Sequence, residues 1–288
     1  MSFLQKMFGS NEVPQWALPM SKQLFREFQS DILTSLSHRS LNPKYDWQNG
    51  HVSIDPNIEN GPSNAKIFFI NVVETYKSCD PVERKIHTSD FISRILTGLL
   101  EKRPDLKQSL DRLMIRIYDL EFADSIRCEV YKEVGQNLMA GIVLDLDHSV
   151  HGVTKLELEK SGMTLDDLYD IARRNLIEHE IPEIQKQNGT IGLLRIISTE
   201  MYGASFVTIL EDHTEPDKTY WVATPNRDMT LIVEPVITGQ DALAEFMNLA
   251  GKISSGTPNH YILPFVLEYR NGVFRDLCKR VDNRIELL

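Results

Sequence analysis

The chain has 288 residues, 42% hydrophobic and 25% charged, which is the make-up of a globular protein with a core of its own and room for two domains. Its formal net charge of −10 and pI near 5.3 argue against a general affinity for nucleic acid, which needs clustered Lys and Arg. Cys79, Cys128 and Cys278 are dispersed and odd in number, which excludes a disulfide framework or a paired-cysteine zinc site and predicts free thiols. No apolar run is long enough to cross a bilayer and the first residues lack the apolar core of a secretory signal, so a cytoplasmic location is expected.

In chain order, residues 1–9 place Phe3, Leu4, Met7 and Phe8 on one side of a short helix ending at Gly9, a turn suited to docking on a partner or a membrane surface, or to packing on its own domain. A Pro-containing linker follows. Residues 21–38 repeat Leu24, Phe25, Phe28, Ile32, Leu33 and Leu36 at helical spacing. Asn49-Gly50 within 45–55 predicts a hairpin, and 66–70 a short strand. A helix is then expected with Asn71 as its cap and Glu74 reaching back, ending near Cys79. Asp80-Pro81-Val82-Glu83 opens another helix, with Ile86, Ile92, Ile95, Leu96, Leu99 and Leu100 on its apolar face and a break near Thr88-Ser89. A boundary between Pro104 and Ser109 divides the chain into a helix and hairpin domain, 1–108, and a sheet domain, 109–288.

Residues 113–120 and 127–134 alternate as strands do, while 138–146 is an apolar run suited to a central strand buried on both faces. Thr164-Leu165-Asp166-Asp167 has capping-box spacing and leads a helix whose apolar face is Leu165, Leu168, Ile171, Ala172 and Leu176. Residues 192–198 form a further strand. The apolar runs 204–210, 219–223 and 229–233 read as consecutive strands in the middle of a sheet, with 138–146 on one side and a closing hairpin on the other. Thr238-Gly239-Gln240-Asp241 resembles a cap for a helix with Ala242, Leu243, Phe246, Met247, Ala250 and Ile253 inward, and the hairpin of 261–278 turns at Asn271-Gly272. The order predicts an α+β fold: a mixed, mainly antiparallel sheet with flanking helices, preceded by a smaller helix-rich N-terminal domain.

Several motifs fall in one order: Phe69-Ile70-Asn71 entering a helix with Tyr76, then Pro81 and Phe91-Ile92; Asp145-Leu146-Asp147 at a strand end; Ser161-Gly162-Met163-Thr164-Leu165-Asp166-Asp167-Leu168 followed by Ala172-Arg173-Arg174-Asn175-Leu176; Tyr202-Gly203-Ala204-Ser205; and Val222-Ala223-Thr224-Pro225-Asn226-Arg227-Asp228. Together they resemble the YtpQ-like family of bacterial proteins, a domain of unknown function, over residues 66–233. The resemblance implies a bacterial, cytoplasmic α+β protein and carries no catalytic residues.

One cluster has metal-ligand chemistry. If the strand of 138–146 continues, Asp145 and Asp147 share a face, and a turn after His148 brings His151 beside them to hold a divalent ion; otherwise these are polar residues of a strand end facing water. Glu178-His179-Glu180 and Glu211-Asp212-His213 read as solvated charge. In Pro225-Asn226-Arg227-Asp228, Pro presets one corner of a turn, Asn tolerates a left-handed backbone at the next, and Arg227 pairs with Asp228. Alternatively Arg227 reaches into a groove and binds an anionic group of a ligand or partner. Ser205 lacks the second glycine of a nucleophile elbow, no phosphate-cradling Gly-Lys-Ser loop exists, and no nucleophile, base and oxyanion set can be assembled. The expectation is a non-catalytic binding or assembly module with a protein partner and no cofactor. The alternatives are a metal-dependent hydrolase on Asp145, Asp147, His148 and His151, or membrane-surface association through Phe3, Leu4 and Phe8.

Overall fold

The computed structural model describes residues 13–37, 41–54, 65–122, 128–255, 262, 265–281 and 284–288, so Phe3, Leu4 and Phe8 lie outside the described residues. The chain forms two compact units, one of Met1–Arg103 with Asp147–Ser149, the other of Pro104–Leu146 with Val150–Leu288. Each has its own hydrophobic core.

In the first unit, helix α1 (Lys22–Ser37) buries Phe25, Phe28, Ile32 and Leu36, the stripe that its period dictates. Strands β1 (Lys44–Asp46), β2 (His51–Ile54) and β3 (Ala65–Phe68) form an antiparallel sheet in that order. The β1–β2 hairpin turns through residues 47–50, with the Asp46 carboxylate accepting the Asn49 N–H at 3.1 Å. Gly50 is left-handed at φ +69°, and a Cβ there would meet the Trp16 ring at 2.8 Å.

Helix α2 (Ile70–Ser78) departs from expectation at its start. Its N-cap is Phe69, already helical at φ −79° and ψ −16°, and no side chain caps it. Phe69 is fully buried between Trp47 and Phe28, so packing rather than a cap sets the helix start, Asn71 falls inside the helix, and Glu74 pairs with Lys77 instead of reaching back. Helix α3 (Pro81–Leu100) has the expected capping box of Asp80 and Glu83. It runs unbroken through Thr88, whose hydroxyl donates to the Arg84 carbonyl at 2.8 Å. Thr88, Ile92 and Leu96 form its buried stripe, while Ile86 and Leu100 face solvent.

The second unit opens with β4 (Leu113–Asp119), β5 (Tyr131–Val134), β6 (Leu138–Asp145) and β7 (Val150–Gly152), a four-stranded sheet in which β6 is central and buried from Leu138 to Leu144. Helices α4 (Lys155–Ser161) and α5 (Leu165–His179) each start at a capping box, Thr154 with Glu157 and Thr164 with Asp167, and Gly162 at φ +67° joins them. The sequence reading passed over α4 because Lys155-Leu156-Glu157-Leu158-Glu159-Lys160-Ser161 has too few apolar residues to show a stripe. On α5 the buried Asn175 donates to the Leu110 and Leu113 carbonyls at 2.7 and 2.8 Å, tying the helix to the start of β4.

The remaining strands are β8 (Glu183–Asn188), β9 (Gly192–Ser198), β10 (Tyr220–Asn226), β11 (Met229–Pro235), β12 (Val266–Arg270) and β13 (Val273–Asp276), with α5 preceding them and α6 (Gln240–Ser255) between β11 and β12. They make a six-stranded sheet in the order β13-β12-β10-β11-β9-β8, and a separate hairpin of β14 (Cys278–Val281) and β15 (Arg284–Leu287) follows. Every strand pairing among the described residues is antiparallel. The fold is α+β, as the pattern of elements predicts.

Two expectations about this sheet are corrected. Residues 204–210 are not a strand: Gly203–Asp212 is a run of 3-10 turns kinked at Ile209. Residues 203–207, 209 and 210 are buried, and periodicity does not separate such a run from a strand. One local and one distant side-chain bond hold it, because the Thr208 hydroxyl donates to the Ser205 carbonyl at 2.7 Å and that of Ser205 to the Ile115 carbonyl at 2.6 Å. Nor does 138–146 flank β10 and β11; it belongs to the other sheet, and their neighbours are β12 and β9.

Candidate functional site

Arg227 and Asp228 are the two corner residues of the β10–β11 hairpin, since Asn226 pairs with Met229. Pro225 and Asn226 are therefore the last residues of β10 rather than the corners of the turn, beside a register shift between Ala223 and Asn226. Asn226 is not left-handed; it shapes the turn by accepting the Asp228 N–H on its side-chain oxygen at 3.0 Å. Arg227 Nε donates to Asp228 Oδ1 at 3.1 Å. Behind the turn the chain crosses closely: the Ala204 N–H donates to the Arg227 carbonyl at 3.0 Å, the Thr199 N–H to that of Asp228 at 3.1 Å. Only glycine fits at the crossing, because a Cβ on residue 203 would stand 1.9 Å from the Asp228 oxygen. The preceding residue, Tyr202, is 1% exposed, with its N–H donating to the Thr199 hydroxyl at 2.8 Å.

The β4–β6 pairing supplies the other half of the site. Arg116 lies opposite Gly141 and Tyr118 opposite Met139, and alternation puts Asp145 on the same face as Gly141. Gly141 leaves the space that the Tyr118 ring and the Cys128 Sγ occupy, 3.4 and 2.5 Å from where a Cβ would be. The half-buried Arg116 guanidinium lies 5.9 Å from the ring centres of both Tyr118 and Tyr202.

Asp145 and Arg227, nominated by sequence in separate motifs, each lie within electrostatic reach of Tyr202 and Arg116, two residues that sequence alone does not single out. The signal for Arg116 was a charged residue in an apolar strand, and its meaning depends on pairing with a glycine that only the register reveals. Burial raises the Asp145 carboxyl above its ordinary value, against the Tyr202 hydroxyl and the positive charges of Arg116 and Arg112. Burial and then the Asp145 charge push the Tyr202 phenol far up, and burial holds the Tyr118 phenol at about 12. Arg227 is lowered by burial and then by Arg116.

The metal arrangement does not form. Val150 pairs with Asp145 and His151 with Leu144, so His151 lies on the opposite face of the sheet from Asp145. Asp147 and His148 leave the strand and belong to the first unit, where the His148 N–H and Ser149 hydroxyl donate to Glu101 at 3.2 and 2.6 Å. Among the described residues no group of three His, Cys, Asp or Glu is placed to hold a metal ion. Of the other acidic groups, Glu211 pairs with Arg173, and burial lowers the His213 imidazole pKa.

Asp145 also sets a dependence on pH. A carboxyl whose folded pKa lies above its ordinary value of 3.8 contributes stability that is complete below that value and is lost as pH rises through the raised one. Asp145→Asn is therefore expected to be more stable than the parent at neutral pH, with the difference closing as pH falls toward 3.8, in urea unfolding at a series of pH values.

The fold and site define an α+β protein of two compact units with a cationic and phenolic cluster in the second. No family model, curated protein or solved structure matches the chain.

Proposed function

We propose that the chain is a non-catalytic binding module that acts through protein–protein contacts. The observation that carries this reading is β8, the edge of the six-stranded sheet, where each of the residues Glu183–Asn188 is exposed. An edge strand offers a row of unpaired backbone donors and acceptors, which an extended segment of another protein satisfies by adding a strand. The approach to this edge is apolar: Ile181 is 91% exposed, with Ile177 and Ile184 also open to solvent. Isolated exposed apolar residues are ordinary, but Ile177 at the end of α5, Ile181 in the connection and Ile184 on β8 follow one another into an exposed edge strand and offer a contact surface. The strand escaped the sequence reading because Glu183-Ile184-Gln185-Lys186-Gln187-Asn188 is poor in β-branched and aromatic residues.

The resemblance to the YtpQ-like family implies a bacterial cytoplasm and names no activity. Among the described residues no helix is long and apolar enough to cross a membrane. The test is affinity capture from native cells with the parent chain and with Ile181→Glu/Ile184→Lys. The double variant should lose a specifically captured protein while keeping the parent's melting temperature within a few degrees. Retention of the same protein by the variant would sink the proposal.

A further inference from the structure

We propose that Arg116, Arg227 and the Tyr202 hydroxyl form a binding site for an oxyanion, the carboxylate or phosphate group of a ligand. The site is distinct from the β8 edge and does not depend on it.

Three sets of unmet donors converge there. Among the described residues the Arg116 guanidinium has ring contacts with Tyr118 and Tyr202 but no hydrogen bond or ion pair, although it is half-buried and carries five N–H donors in a planar fork. The Tyr202 hydroxyl is buried with no partner in good hydrogen-bond geometry, on a residue only 1% exposed, although the Asp145 carboxyl lies near enough to push its pKa up. Buried hydroxyls are rarely left poorly met, and one that Asp145 engages only loosely is open to a better-placed acceptor. Arg227 engages Asp228 through Nε, which leaves its terminal nitrogens to turn elsewhere.

The charges agree with the geometry. Arg116 and Arg227 are close enough for the first to oppose protonation of the second, and an anion between them removes that repulsion. Asp145 lies on the same face, beside the Tyr202 hydroxyl, but makes no ion pair with Arg116 or Arg227 among the described residues. It acts as a weak internal competitor. Planar guanidinium forks match the paired oxygens of carboxylate and phosphate, and a phenol O–H adds a third donor. Backbone placement fixes the group: Arg116 is held in β4, Tyr202 by the crossing at Gly203, and Arg227 in a hairpin corner.

The experiment titrates inorganic phosphate and, separately, succinate into the full chain by calorimetry, with chloride at matched ionic strength as the control for screening. Saturable heat with either probe, absent with chloride, is expected. Arg116→Gln and Arg227→Gln should each weaken it at least about ten-fold, as loss of a charged hydrogen bond does. Tyr202→Phe keeps the ring beneath Arg116 and should weaken it by a few-fold while leaving the melting temperature without anion unchanged or raised. Asp145→Asn removes the competing charge and should tighten it at neutral pH. Heat with phosphate alone assigns a phosphoryl group, heat with succinate alone a carboxylate, and heat with both the shared oxyanion. Absence of saturation with both probes, or equal affinity in the folded Tyr202→Phe and Arg227→Gln variants, overturns the proposal.

Discussion

Gly203→Ala is expected to lower the stability of the second unit by about 3 kcal/mol or more, the upper range of overpacking. The added methyl would lie 1.9 Å from the Asp228 carbonyl oxygen, 2.2 Å from its carbon and 2.7 Å from the Met229 nitrogen, all backbone atoms of the β10–β11 hairpin. A flexible side chain can swing away from such an intrusion, but here either the hairpin or the segment crossing behind it has to move. Movement breaks the bonds that the crossing makes, including that of the Ala204 N–H to Arg227 and that of the Thr230 hydroxyl to the Gly203 carbonyl at 2.8 Å. It also shifts Tyr202 relative to Arg116. Gly251 in α6 is the control, since a Cβ there meets nothing within 4 Å. Gly251→Ala should be neutral or gain up to about 1 kcal/mol from helix propensity. Urea unfolding of both variants gives the comparison, and similar midpoints would show that the hairpin yields without cost.

Asp276→Ala is expected to cost about 2 kcal/mol, because it strips a buried carboxylate from two part-buried donors at once. Asp276 closes β13, and its two oxygens accept the Gln136 N–H at 3.2 and 3.0 Å and the Asn137 side-chain amide at 3.1 Å. Those donors sit in the turn between β5 and β6, where Gly135 is left-handed at φ +68° and leaves room for the carboxylate 2.9 Å from where its Cβ would be. One side chain thus joins the four-stranded sheet to the six-stranded one over about 140 residues of chain. Asp276→Asn keeps one acceptor and should recover part of the loss. A midpoint of Asp276→Ala equal to that of the parent would show that water replaces the carboxylate freely.

Local rules in this chain are written in short segments and were legible. Asp80 with Glu83 and Thr164 with Asp167 form the capping boxes their spacing predicts. Asn271-Gly272 makes the two-residue turn joining β12 to β13, with φ of +48° and +80°. What sequence could not yield depends on contacts between distant segments. Phe69 starts α2 through burial, so the competent cap at Asn71 is bypassed. The run of 204–210 has the composition of a strand but is fixed as 3-10 turns by hydroxyl bonds to nearby and distant carbonyls. The candidate site shows the same division. Arg227 and Asp145 stood out as charges at turns and strand ends, but their meeting at Tyr202 and Arg116 follows from the β4–β6 register and the crossing at Gly203. The register also disposes of the metal cluster, by placing His151 opposite Leu144.

The strand order of the larger sheet carries a consequence for how the protein folds. β8 with β9, β10 with β11 and β12 with β13 are hairpins of neighbours in sequence, whereas β9 with β11 and β10 with β12 join segments far apart. Hairpins close in about 1–10 μs, and their assembly waits on loop-closure entropy across the long connections. The strand order therefore favours growth of the sheet by docking of hairpins around β10 and β11. On this order the turn at Arg227 and Asp228 is expected to form early, and the exposed β8 edge to join as part of the outermost hairpin.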